Sequence, residues 1–240
     1  MKTKTKIRIT LYVGLSLCFL LFKFGRSIWH PVYTKISGKT TTQEVYEKIG
    51  ADITPKLKSN FTKANLPFPP NNLTIIALKK EQVLEIWSAN DGKNTLIKSY
   101  AFTGYSGKLG PKLKSGDLQI PEGLYRIEYL NPNSSYHLSA KISYPNKFDR
   151  EMGNQDNRSD LGGDIFIHGK SATIGCIPIG DTNIEELFTL IYLTGKSKVN
   201  VIISPNDLRL GKPAYSNPDI PWLPKKYVKI KNELSKFTRS

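Results

Sequence analysis

Between Leu73 and Ser204 the apolar residues of the chain recur mostly with period two, in short runs broken by glycine and proline. Successive side chains of a strand point to opposite faces, so this pattern specifies a sheet rather than a helical bundle. Leu73–Leu78 and Val83–Trp87 read as strands around a charged turn at Lys79–Gln82, and Asn94–Gly104 reads as a third. A loop carrying Gly110, Pro111, Gly116, Pro121 and Gly123 leads into a strand at Leu124–Tyr129. Tyr136–Tyr144 alternates, Gly162–His168 is a short apolar strand ending on a histidine, and Lys198–Ser204 closes the series. One clear helix stands among them, Asp181–Leu193. Thr182 and Glu185 have capping-box spacing there, and Ile184, Leu187, Phe188 and Ile191 form an apolar stripe. No strand–helix–strand alternation runs through the chain, and the glycine-rich nucleotide-binding motifs are absent. The expected fold class is mainly β (α+β), with one packed helix.

The flanks read differently. Lys2, Lys4, Lys6 and Arg8 precede an apolar run from Ile9 to Phe22, which Lys23 and Arg26 follow. A basic start and an apolar run of this length form an export signal. No small-x-small cleavage site follows, and Leu17 before Cys18 does not suit a lipoprotein site. An uncleaved signal-anchor helix over residues 1–28 is the expectation, with a cleaved signal peptide or a buried core helix as alternatives. Residues 29–70 read as a linker with a short helix at Thr41–Gly50, capped by threonine and stopped by Gly50. The main domain spans 71–206, and 207–240 is a basic C-terminal extension. In it Tyr227, Ile230, Leu234 and Phe237 share a helical face, with Lys225, Lys226, Lys229, Lys231 and Lys236 interleaved. That pattern fits either a solvated helix capping the domain or an attachment to an anionic surface.

Export decides how charge and thiols are read. The formal charge of +15 calls for an anionic neighbour. Outside the cytoplasm that neighbour is anionic lipid or wall polymer, not nucleic acid. Of the two cysteines, Cys18 lies in the N-terminal run and Cys176 in "DIFIHGKSATIGCIPIGD". Exported cysteines usually pair; Cys176 has no partner in the exported part and is a candidate reactive thiol.

Cysteine and histidine together make a nucleophile and its base, and a nearby imidazolium lowers a thiol pKa. Gly169 lets the chain turn directly after His168, and Gly175 leaves the thiol unobstructed. Backbone N–H groups around Cys176 can serve a developing oxyanion. The opposing reading is a small buried apolar cysteine and an ordinary histidine. His30, His137 and His168 lie far apart and no C-x-x-C or H-x-x-x-H spacing exists, so neither a metal nor any other cofactor is expected. Asp164 and Asp181 read as an end-of-strand polar residue and a helix N-cap.

"IHGKSATIGC" resembles the active-site signature of the L,D-transpeptidase (YkuD-type) family, in which a His-Gly pair precedes a Gly-Cys pair. Its short spacing, with "GPKLKSGDLQIPEGLYRI" and "LSAKISYPNKFDR", is similar to the YafK-like branch. The resemblance covers about Leu73 to Ser204. It implies a β-rich catalytic domain and a thioester on Cys176, formed at a meso-diaminopimelate residue of peptidoglycan stem peptides. It makes His168 the base, sets Gly169 where a backbone carbonyl orients the imidazole, and sets Gly175 beside the oxyanion site. Most members carry a second histidine and an arginine around the cysteine. Here Ile174 stands for the histidine and "CIPI" has no arginine, so Lys170 or Arg150 is expected to meet the substrate carboxylate. Water or an amine resolves the thioester, giving an amidase that releases a peptidoglycan-linked protein or a cross-linking transpeptidase. The implied location is the bacterial envelope, in the periplasm, anchored to the inner membrane. The competing reading is a non-catalytic basic peptidoglycan-binding module. A redox sensor ranks last, because a resolving cysteine is missing.

Overall fold

The computed structural model describes residues 38–238, with residues 12–14, 16 and 35 besides. The expected signal-anchor lies almost wholly outside these residues. Among the described residues no helix is long and apolar enough to cross a membrane.

Eight strands form one mixed sheet: β1 (Leu73–Leu78), β2 (Val83–Asn90), β3 (Lys93–Ala101), β4 (Gly123–Ser134), β5 (His137–Ile142), β6 (Phe166–His168), β7 (Ile177–Pro178) and β8 (Val199–Ser204). Their order is β3-β2-β1-β8-β4-β5-β6-β7. The β1–β8 and β6–β7 pairs are parallel and the others antiparallel. β1 is apolar except at Thr74 and β8 except at Asn200 and Ser204, and all their positions but Asn200 are buried, which suits central strands. Leu73, Ile75 and Ala77 of β1 and Val199, Val201 and Ile203 of β8 meet the helices α1 (Thr42–Lys63) and α3 (Asp181–Thr194). Ile76, Leu78 and Ile202 point the other way, onto α4 (Leu223–Leu234).

α3 is the packed helix that the apolar stripe foretold, and α1, α2 (Lys147–Gln155) and α4 join it. α1 does not stop at Gly50. It begins with a Thr41–Glu44 capping box and runs to Lys63, because Val45, Ile53, Leu57 and Phe61 bury one stripe in the core. That burial outweighs the cost of about 1 kcal/mol for a mid-helix glycine. A Cβ at Gly50 would lie 2.7 Å from the Tyr46 ring, which stacks on Tyr192 of α3. α2 falls where the alternating pattern ends; its signal in the sequence is the Asn146–Asp149 capping box. α3 starts without the expected Thr182–Glu185 box, and Gly180, not Asp181, is its N-cap. Glu185 is taken by His137 at 2.7 Å, and Asp181 is held by Lys170. β4 runs past Tyr129 to Ser134 through two register shifts against β5.

Lys79, read as part of a charged turn, is fully buried. Its ammonium meets the carbonyls of Gly110 (2.7 Å) and Ile120 (2.9 Å) and the Glu122 carboxylate (2.8 Å). Glu122 also accepts from Gly110 N–H and Tyr227 O–H. Beside it, Asp149 accepts from Tyr125 and from the buried Lys226. These bonds fasten α4 to the glycine- and proline-rich loop between β3 and β4. The C-terminal segment is thus part of the fold: Leu223, Tyr227, Ile230, Leu234 and Phe237 complete the second core.

Candidate active site

The strand register sets the site. Ser139 of β5 faces His168 of β6, and Lys141 faces Phe166. Ile167 pairs with Ile177 of β7, and His168 with Pro178. Ala140, Ile167 and Ile177 lie in the core under α1 and α3. Alternation therefore turns Ser139, Lys141, Phe166, His168 and Cys176 to the opposite face. There Ser139, Phe166, His168 and Cys176 line one pocket of about 280 Å³ with Tyr136, Asp164, Thr173 and Ile174.

Within it the imidazole is tightly held. Nδ1 of His168 bonds the Gly169 carbonyl at 2.5 Å, and Tyr136 lies against the ring with centroids 4.7 Å apart. A carbonyl can only accept, so Nδ1 carries the proton and Nε2 keeps its lone pair. Nε2 has no protein hydrogen-bond partner among the described residues. Burial pushes the imidazole pKa down, which the Gly169 bond partly offsets. The half-buried thiol of Cys176 accepts from Phe166 N–H at 3.4 Å and lies 3.7 Å from the Asp164 carbonyl. Burial pushes its pKa up. The resting pair is a neutral thiol and a neutral imidazole.

The return from His168 to Cys176 depends on close backbone approaches. A Cβ on Gly169 would lie 2.6 Å from Asp181 Oδ1 and 2.7 Å from the Tyr136 carbonyl. Gly175 has φ of +127°, and a Cβ there would meet the Gln119 carbonyl at 3.0 Å. Thr173 closes the turn: its hydroxyl accepts from Gly175 N–H (3.3 Å) and Cys176 N–H (2.9 Å) and donates to the Cys176 carbonyl. The two amides expected at an oxyanion site thus bond Thr173 rather than face an open acceptor position.

The structure brings His168, Gly169, Gly175 and Cys176 together. It does not bring Lys170 or Arg150 to the pocket. The Lys170 ammonium lies on the Asp181 carboxylate at the start of α3, and Arg150 is exposed on α2. The lysine on the pocket face is Lys141, 3.0 Å from Asp164. Asp164 lies before β6 with φ of +53° and a side chain 82% exposed. Tyr136 and Thr173 also line the pocket, with Lys141 beside it through Asp164, and sequence reasoning passed over all three. Only Thr173 left a trace, a hydroxyl three residues before the thiol. No group of three or more His, Cys, Asp or Glu among the described residues is arranged to hold a metal ion.

Residues 72–203 match the model of the L,D-transpeptidase catalytic domain, YkuD. The chain is 33% identical over 147 residues to YafK of Escherichia coli (strain K12), covering 58% of this chain and 57% of YafK. The chain thus spans little more than half the length of that relative. Among solved structures, the helical cell shape determining protein Pgp2 from Campylobacter jejuni is 20% identical with a TM-score of 0.48, over 70% of each chain. Bd1075 of Bdellovibrio bacteriovorus is 18% identical with a TM-score of 0.42, over 69% of this chain and 55% of its own. On the family match, which covers more than half of its residues, the chain belongs to the L,D-transpeptidase (YkuD) catalytic domain family.

Proposed function

We propose that this chain is a cysteine-dependent acyl-transfer enzyme of the bacterial cell wall, acting on peptidoglycan stem peptides at meso-diaminopimelate. One observation carries the reading: thiol and imidazole share a pocket, with Nδ1 tied to a carbonyl and the Nε2 lone pair without a partner among the described residues. Nε2 takes the Cys176 proton as Sγ attacks the carbonyl carbon of the stem peptide. The S–C bond forms, the C–N bond breaks, and the imidazolium returns the proton to the leaving amine. The Phe166 N–H bonded to the sulfur holds the nucleophile in place before attack. In the second half, a nucleophile deprotonated by His168 attacks the thioester and the thiol leaves.

Water is the acceptor on this reading, and the product is a peptide or protein released from peptidoglycan. Aligning an amine needs a shaped acceptor wall. Ile174, where most members of the family carry a histidine, is 73% exposed at the pocket. That leaves water an open path. A basic protein that acts on wall polymer belongs in the envelope, and the N-terminal basic-apolar segment is the proposed means of export to the periplasm and anchorage in the inner membrane. Two incubations of the full chain test the reaction. One supplies a tetrapeptide muropeptide with an amine acceptor, the other a muropeptide carrying a peptide on its diaminopimelate. Release of that peptide without cross-linked dimer is expected, and Cys176→Ser should lack it. Dimer from the first, with the second left uncut, would overturn hydrolysis; no turnover of either would overturn the enzyme.

A further inference from the structure

An exposed carboxylate on a left-handed aspartate, at the pocket that holds Cys176, has no role in the chemistry above. Asp164 lines the same pocket as His168 and Cys176, and its backbone carbonyl is 3.7 Å from Sγ. A non-glycine residue at φ of +53° is uncommon, although aspartate tolerates it better than most. This conformation turns the side chain outward, where it is 82% exposed. Oδ1 meets Lys141 Nζ at 3.0 Å, while Oδ2 has no partner among the described residues. Lys141 lies on the pocket face of β5, its ammonium over the Tyr129 ring and 3.4 Å from Glu128. An ammonium has three donors, so one remains free after Asp164 and Glu128.

We propose that Asp164 and Lys141 recognise the zwitterionic amino-acid end of the acyl donor, the ammonium on Asp164 and the carboxylate on Lys141. The inference rests on the function proposed above and names how its substrate is chosen. Charge balance selects the class. Asp164 and Glu128 outnumber Lys141, so an anion without an ammonium is disfavoured, whereas a group carrying both charges matches the pair. Free stem-peptide diaminopimelate presents such an end. The pair also supplies the carboxylate contact that Lys170, held by Asp181, and Arg150, on α2, do not bring to the pocket. A surface ion pair alone is worth little to stability, so neutralising either partner should spare the fold.

The test compares two tetrapeptide donors, one with its free diaminopimelate end and one with that carboxylate amidated. It uses the wild type, Asp164→Asn and Lys141→Met. Thermal melts check the fold, and binding to each protein carrying Cys176→Ser separates recognition from chemistry. For the free donor, each variant should raise KM and weaken binding roughly tenfold, with kcat little changed. The wild type should prefer the free donor, and Lys141→Met should lose that preference. Unchanged KM and preference, in variants that melt as the wild type does, would overturn the pair while leaving acyl transfer intact. Failure of the wild type to bind or turn over either donor would overturn the pair, and failure to release a peptide carried on diaminopimelate as well would overturn both readings.

Discussion

Cys176 rests as a thiol because burial raises its pKa, and His168 rests neutral because burial lowers its own. Both signs favour a base that is ready at neutral pH over a preformed ion pair. The acylation rate should rise with pH through a midpoint below the usual histidine value of about 6.5, then stay level across neutrality. Iodoacetamide labelling of Cys176 should quicken only above the ordinary thiol range. A labelling midpoint below pH 7 would reveal a thiolate–imidazolium pair and contradict this picture. The glycines are equally exposed to test. Gly175→Ala adds a methyl at φ of +127°, against the Gln119 carbonyl. Shifting the thiol by a fraction of an ångström to an ångström should lower kcat by about a hundredfold, with KM less affected. Wild-type kcat from this variant would show that the turn has slack. That His168, Gly169, Gly175 and Cys176 come together was legible in the sequence, because they fall in one short glycine-punctuated stretch. Asp164 and Lys141 were not: they are 23 residues apart and meet only through the β5–β6 register and one left-handed backbone.

At the scale of elements, the network around Glu122 joins the β3–β4 loop to α4. Lys79→Met would leave the buried Glu122 carboxylate without its cation. Loss of one partner from a buried pair costs about 3–5 kcal/mol, a large part of a domain's usual stability. Urea denaturation should read that loss, and a change under 1 kcal/mol would mean that water or Tyr227 can replace the ammonium. Deleting 223–240 should do worse, because Leu223, Tyr227, Ile230 and Leu234 each bury roughly 1.5–3 kcal/mol of apolar surface. The helical face of α4 was readable from the spacing of those residues. Its role in the core was not, because a lysine-rich helix looks the same whether its apolar face meets solvent or a sheet. Lys79 shows the same limit: its charge marked a turn, and only the fold shows Glu122 waiting across 43 residues.

For the whole molecule, two-residue periodicity identified every strand except β7, but the order β3-β2-β1-β8-β4-β5-β6-β7 rests on long-range pairings that no local pattern encodes. Net charge is a property at this scale. Because α4 packs into the core, attachment to anionic lipid or wall polymer is tested by its exposed lysines rather than by truncation. Changing Lys225, Lys229 and Lys231 together to glutamine should weaken binding to anionic vesicles or wall sacculi, by less as salt rises. A loss that ignores salt would point to damaged packing. The central claim is covalent: the chain holds its substrate as an acyl group on Cys176. Intact-protein mass spectrometry after brief incubation with a diaminopimelate-containing tetrapeptide muropeptide, quenched in acid, tests it most directly. The expected result is a mass gain equal to the donor acyl group, mapped to Cys176, labile to hydroxylamine and absent from Cys176→Ser. Turnover of that donor with no adduct on Cys176, or with an adduct on another residue, would contradict it.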